Sequence, residues 1–269
     1  MIAPMLELLL LKAIVSIAIV VGLSIAAERS GPRLAGLLIG LPLGAGMVVI
    51  FTGYELGPDF AAAAAVHMVP GFLTTLVFIY IYGAIAARQN RGGLAAVILP
   101  SIGAHIGYGL AAWSLSQFQL ALVVAVPLMA IGVVIGHRAM ASLPDNPITA
   151  RVTFGWKVLA FRAGMATVVI IIITSIAGQV GPQWTGILTA YPITLLPLIL
   201  VLHITYTGAE VAAVLKHVPF AMGSVTSFCL AIVFTVPAFG LGIGILLSYV
   251  AAAAYLLSFS VISRKFRTK

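Results

Sequence analysis

31-GPRLAGLLIGLP-42 and 181-GPQWTGILTAYP-192 lie 150 positions apart and share their opening Gly-Pro, a glycine five positions on and a closing proline. Extended backwards without a gap, 12–42 against 162–192 gives seven identities in 31 positions. In so apolar a chain that fraction carries little weight, and the kinds of residue matched carry more. Gly31-Pro32 meets Gly181-Pro182, Gly36 meets Gly186, Leu38 meets Leu188 and Pro42 meets Pro192. Lys12 falls on Arg162 and Ser24 on Thr174. With small gaps, Gly57-Pro58-Asp59 is similar to Gly208-Ala209-Glu210, and His67 before Pro70 to His217 before Pro219.

The composition says what kind of object is repeated. Of 269 residues, 62% are hydrophobic and 7% charged, whereas soluble domains carry about 25% charged residues. Too little polar surface is available to cover a water-facing globule. Apolar runs bounded by charge or Gly/Pro fall at 6–27, 32–55, 59–87, 93–114, 117–136, 158–179, 182–206, 210–238 and 240–263. These runs exceed the ten or so residues of a barrel strand and do not alternate, so they predict nine transmembrane helices in an all-α, polytopic membrane protein. The first run could imitate a signal peptide. Its leading residues carry Glu7 and no cation, and the run is long, so it is kept as a helix. One cysteine, Cys229, excludes a disulfide framework. The net charge of +8 does not suggest nucleic acid, because the cations sit between apolar runs rather than along a stripe.

Cations in alternate connections set orientation through the positive-inside rule. One set of connections and ends holds Arg29, Arg33, Arg88, Arg91, Arg138, Arg151, Lys157, Arg264, Lys265, Arg267 and Lys269; the other set holds none. The expected N-terminus is outside and the C-terminus cytoplasmic, in a bacterial inner membrane. Segments 1 and 6 then start on opposite sides, so the two four-helix units are inverted: a first repeat over 1–115, a connector helix and loop over 116–157, and a second repeat over 158–269. Inverted repeats are characteristic of secondary transporters; duplication for packing alone is the plainer alternative.

Nine segments, an outside N-terminus and matched units together resemble the bile acid–sodium symporter and sodium–proton antiporter group with one terminal helix missing. The resemblance implies a discontinuous, crossing third helix in each unit, and 59–87 and 210–238 are the longest segments. That group's paired acidic or Asn/Gln sodium ligands have no counterpart in mid-span. The Gly-Pro…Pro segments also resemble small bacterial inner-membrane proteins of uncharacterised function.

Pro32 and Pro182 suit a first helical turn, where a missing N–H costs nothing. Ten residues on, at 1.5 Å per residue, Pro42 and Pro192 lie about 15 Å deep, the midplane of a core about 30 Å thick. A mid-helix proline removes a hydrogen bond, and freed backbone groups need protein or a watery cavity. Broken helices near the midplane therefore predict a site at Pro42, Gly44, Tyr191, Pro192 and Thr194, although prolines here could equally be packing kinks. The glycine stripes Gly36/Gly40/Gly44 and Gly240/Gly244 read as helix packing.

Ionisable groups inside the spans complete the candidates. Lys12, Arg162 and Lys216 lie one or two turns from a membrane face, where a cation snorkels or meets a solute. His67 and His217 are candidates for solute or proton binding, and His105 and His203 for gating or proton coupling. A satisfied interhelical histidine is the plain alternative for each. Asp59 and Glu210 suit the positive ends of helices, with gating as the other role. The histidines lack metal-ligand spacing, and no cofactor, nucleophile–base pair or P-loop is expected. The function expected is a secondary transporter or exporter of a small anionic organic solute, with proton coupling an option. Alternatives are a channel or lipid-handling protein, and less so a membrane-embedded enzyme. Expected partners are the bilayer, the solute and, as an option, a second copy in a homodimer.

Overall fold

The computed structural model describes residues 2–29, 41–89, 91–146 and 155–267, with side chains at 6–26, 41–89, 91–146 and 155–261. Within them the chain is all-helical, without a strand. The helices are α1 (Ile2–Arg29), α2 (Leu43–Leu56), α3 (Pro58–Ala86), α4 (Ile98–Ser116), α5 (Leu122–Ala141), α6 (Trp156–Thr189), α7 (Leu195–Thr205), α8 (Gly208–Leu215) and α9 (Val218–Arg267). Five are long and apolar enough to cross a membrane. Gly31, Pro32, Arg33, Gly36, Leu38, Gly40, Arg151 and Lys269 lie outside the described residues, as do the side chains of Arg29, Arg264, Lys265 and Arg267.

Two of these helices turn back on themselves. Gly181 (φ 76°) interrupts α6 and Gly240 (φ 76°) interrupts α9, a conformation glycine adopts without steric cost. Across Gly240 the two arms of α9 run antiparallel. Thr235 Oγ1 donates to the Gly244 carbonyl at 2.8 Å, Ser224 Oγ to the Ala252 carbonyl at 3.3 Å, and the Tyr255 hydroxyl to the Phe220 carbonyl at 3.2 Å. Across Gly181, Thr185 Oγ1 donates to the Gly181 carbonyl at 2.8 Å and reaches the Ala177 carbonyl at 3.4 Å. The segment boundaries expected at 179–182 and 238–240 are thus chain reversals.

Other boundaries differ from expectation. Segment 117–136 appears as α5 from Leu122, because 117–121 serves as a connector. Segment 210–238 is divided at Lys216-His217, between α8 and α9. Segment 59–87, implied to be discontinuous by the resemblance, is the unbroken α3. Its Pro70 is buried, and Gly71 beside it lies against Ala190 and Ile187. Packed neighbours hold the helix through the proline rather than letting it open. Of the two third segments only 210–238 is thus divided; further non-helical turns lie at Leu41-Pro42, ahead of α2, and at 190–194, between α6 and α7.

Helix α3 is central, packing against α2, α4, α5, α6, α8 and α9, as befits a helix apolar around its whole circumference. It anchors the larger core, with Phe72, Leu76, Phe78 and Tyr82 meeting Tyr108, Met129, Ile199, Leu215, Phe228 and Ile232. A smaller core joins Val20 of α1, Met47, Val48 and Phe51 of α2, Ala163, Ala166, Ile170 and Ile173 of α6, and Ile193. At one end of the molecule Leu56 packs on Gly178, and Gln183 Nε2 donates to the carbonyls of Ser116 and Phe118 at 3.0 Å each. At the other, the Gly93 N–H donates to the His203 carbonyl at 3.2 Å, and Lys216 Nζ stands 4.0 Å from Asp145 Oδ2. The outward sides of α1, α4, α5 and α9 expose Ile14, Ile106, Leu110, Val123, Ile135, Leu246 and Val250, an apolar belt of the sort that needs covering.

Candidate functional site

Ahead of α2 the chain turns at Leu41-Pro42-Leu43. The Leu43 N–H donates to the Leu41 carbonyl and the Gly46 N–H to the Pro42 carbonyl, both at 2.8 Å. The pattern recurs 150 residues later: the Ile193 N–H donates to the Tyr191 carbonyl at 2.6 Å and the Leu196 N–H to the Pro192 carbonyl at 2.8 Å. Pro42, at φ −77° and ψ 59°, has the angles of an inverse γ-turn, which proline's fixed φ favours. The turns lie against each other, because Gly44 packs on Ile193; a Cβ added to Gly44 would stand 2.9 Å from that of Ile193.

Carbonyls around the second break are capped by hydroxyls from neighbouring helices. Thr75 Oγ1 of α3 donates to the Ala190 carbonyl, and the Tyr108 hydroxyl of α4 donates to the Ile187 carbonyl at 2.9 Å. Within α6, Thr189 Oγ1 donates to the Thr185 carbonyl at 2.6 Å. A break surrounded by apolar packing requires such partners.

A cavity of about 340 Å³ lies beside the paired turns. Its lining includes Pro42, Gly44, Tyr191, Pro192 and Thr194 of the turns, Phe72 and Thr75 of α3, and His217, Phe220, Met222, Val225, Leu256 and Phe259. The first residues of α2 and α7 face it. First-turn amides have no partner within their helix and form the positive end of its dipole. Largely apolar walls with a few polar groups at one end characterise small-molecule sites.

Six of the ten residues expected to bind solute thus share one lining: Pro42, Gly44, Tyr191, Pro192, Thr194 and His217. The other four are placed elsewhere. His67 is half-buried on α3, its Cβ against Gly186, where a Cβ would also collide with the Ala64 carbonyl and the Met68 amide. Lys12 is 2% exposed, its Nζ 2.7 Å from Glu55 Oε1, 3.0 Å from Glu55 Oε2 and 2.8 Å from Thr174 Oγ1. Arg162 is half-buried on α6 beside Ala163 of the smaller core. Lys216 faces Asp145 next to His217.

Among the gating candidates, Glu210 completes a capping box on α8: its Oε2 accepts from the Thr207 N–H and Thr207 Oγ1, each at 2.8 Å. Asp59 is exposed in the first turn of α3. His203 is buried, its Nδ1 3.0 Å from the Tyr82 hydroxyl. The exposed His105 has Nδ1 2.7 Å from the Ser101 carbonyl and Nε2 2.7 Å from the Tyr191 hydroxyl.

Sequence reasoning missed Glu55, although a signal existed, since it ends its span at the outer depth already assigned to Lys12. It also missed Phe72, Thr75, Met222, Phe220 and Phe259, ordinary residues in a chain full of their kind, which only the tertiary packing brings to the cavity. No group of three or more His, Cys, Asp or Glu able to hold a metal occurs among the described residues. Compared with known proteins, the chain matches no family model, no curated protein and no solved structure.

Proposed function

We propose that the protein is a small secondary transporter that moves an amphipathic, anionic organic solute across a membrane by alternating access. One observation carries this reading: two proline γ-turns, 150 residues apart, meet back to back at a single cavity. Broken helices whose N-terminal halves face a midplane site are how transporters satisfy a solute's charge away from water. The first-turn amides of Ala45 and Leu195, with Tyr191 and Thr194, suit a carboxylate head, and Phe72, Met222, Phe220 and Phe259 suit an apolar body. Because Lys12 is engaged by Glu55, the preference for an anion rests on helix ends rather than on a cation in the spans.

The inverted arrangement draws support from two sources. Charge assigns the 87–97 and 142–155 connections to the cytoplasm, alternation of the segments adds the uncharged 206–208, and members of that set touch one another or neighbouring residues at one end, through Gly93–His203 and Asp145–Lys216. The uncharged set meets at the other end, through Gln183 with Ser116 and Phe118, and Leu56 with Gly178. In that orientation the cavity faces the cytoplasm, since His217 follows Lys216. The likeness to the bile acid–sodium symporter and sodium–proton antiporter group is proposed at the level of inverted four-helix units. Here the second segment of each unit carries a proline turn, and of the third segments 210–238 is divided while 59–87 is continuous.

Purified protein in proteoliposomes tests the reading, with uptake of radiolabelled carboxylates followed with and without a pH gradient against protein-free vesicles. Saturable uptake is expected. Absence of protein-dependent movement under every gradient refutes transport.

A further inference from the structure

Tyr191 belongs to two sites at once. It lines the cavity, and its hydroxyl is bonded to the exposed His105 on α4. A carbonyl can only accept, so the 2.7 Å contact of His105 Nδ1 with the Ser101 carbonyl assigns the proton of the neutral imidazole to Nδ1. Nε2 is then an acceptor, and the Tyr191 O–H donates to it. We propose that His105 is a proton-binding site coupled to the cavity through Tyr191, so that a proton on the imidazole and a hydrogen-bond acceptor in the cavity bind together.

The coupling follows from counting donors. A proton that reaches Nε2 turns that nitrogen into a donor, and the Tyr191 oxygen accepts from it. The hydroxyl proton of Tyr191 must then find another acceptor, and a carboxylate in the cavity that Tyr191 walls supplies one. No covalent bond other than N–H changes. Binding linkage is reciprocal, so a solute that accepts from Tyr191 also favours the proton on His105. The groups around the ring suit this role. From α3 it meets Phe78, edge-on at 5.2 Å, with Tyr82 a turn further and bonded to His203. From the break it meets Tyr191, and on its own helix Tyr108 lies one turn on, bonded to the Ile187 carbonyl. His105 forms no ion pair among the described residues, so its charge is set by the proton alone.

This inference rests on the cavity being the solute site. Calorimetry with benzoate as probe, on the full chain in detergent and in two buffers of different ionisation enthalpy, counts the protons taken up on binding. Wild type is expected to take up protons as benzoate binds, with affinity falling by up to about tenfold per pH unit as pH rises. In His105→Gln the amide oxygen still accepts from Tyr191 but takes no proton, so benzoate binds without proton uptake and without pH dependence. Tyr191→Phe, in a different element, severs the link and also abolishes uptake of the proton. Wild-type binding without proton uptake, uptake retained in Tyr191→Phe, or no benzoate binding at all overturns the inference. Carboxylate uptake into proteoliposomes that persists without pH coupling overturns it alone and leaves the transport reading standing.

Discussion

At the scale of single residues, the ammonium of Lys12 shows why burial and partners matter more than depth. Its donors are shared between Glu55 at the end of α2 and Thr174 on α6, so one charge ties together the three helices of the smaller core. A buried pair of this sort is costly to break, because the surviving charge has nowhere to go. Lys12→Met alone is expected to cost about 3–5 kcal/mol, read as a lower melting temperature in detergent. Combining it with Glu55→Leu should recover most of the loss; a double variant as unstable as the single one would mean the pair is not what holds these helices. Thr75 presents the neutral counterpart. Thr75→Val leaves the Ala190 carbonyl without its donor, at about 1–3 kcal/mol. The alignment had already matched Ser24 with Thr174 and Lys12 with Arg162. It could not show that Lys12 bonds across to Thr174, because partners follow from how antiparallel helices meet and not from which positions are alike.

At the scale of elements, the sequence made the breaks legible and left the walls obscure. Pro42, Pro192 and Gly181 act on their own backbone, so their effects can be read locally, and the chain turns at each of them. Gly240, read with Gly244 as a packing pair, instead makes the reversal in α9, with open space beside it. His67 was expected at the cavity from its depth along α3. Depth does not fix rotation about the helix axis, and a helix apolar on all sides offers no stripe from which to read it. Packing chose, and put His67 against Gly186. The proline turns themselves can be tested. Pro192→Ala restores an amide N–H and removes the fixed φ, so the 190–194 turn is expected to relax toward helix. Melting temperature should hold or rise while carboxylate uptake falls at least about tenfold, the loss expected when a site is displaced by about an ångström. Unchanged uptake would mean the turn does not shape the site. Gly186→Val should behave oppositely, lowering stability by about 1–3 kcal/mol through overpacking, because the obstructing atoms include the α3 backbone.

At the scale of the whole molecule, the two cores do not coincide with the two sequence repeats. The smaller one takes α1 and α2 from the first half of the chain and α6 from the second, and the cavity lies where Tyr191, packed against both cores, adjoins Ile193 of the smaller one. A motion that opens the other end would therefore slide α1, α2 and the first arm of α6 over the α3-centred body, with the proline turns between them. Which end faces the cytoplasm decides what the cavity samples at rest, and chemical labelling reads that directly. The native Cys229 is fully buried, so it contributes little background. Single cysteines replace Phe118, exposed in the connector before α5, Asn146, exposed after α5, and His217, exposed on the cavity lining. On intact cells a membrane-impermeant maleimide should label Phe118→Cys and spare the other two. On inside-out vesicles it should label Asn146→Cys and His217→Cys, and a bound carboxylate should slow the reaction at position 217. The reverse pattern would invert the orientation that the cations imply. Equal labelling of His217→Cys from both sides would replace alternating access with an open pore.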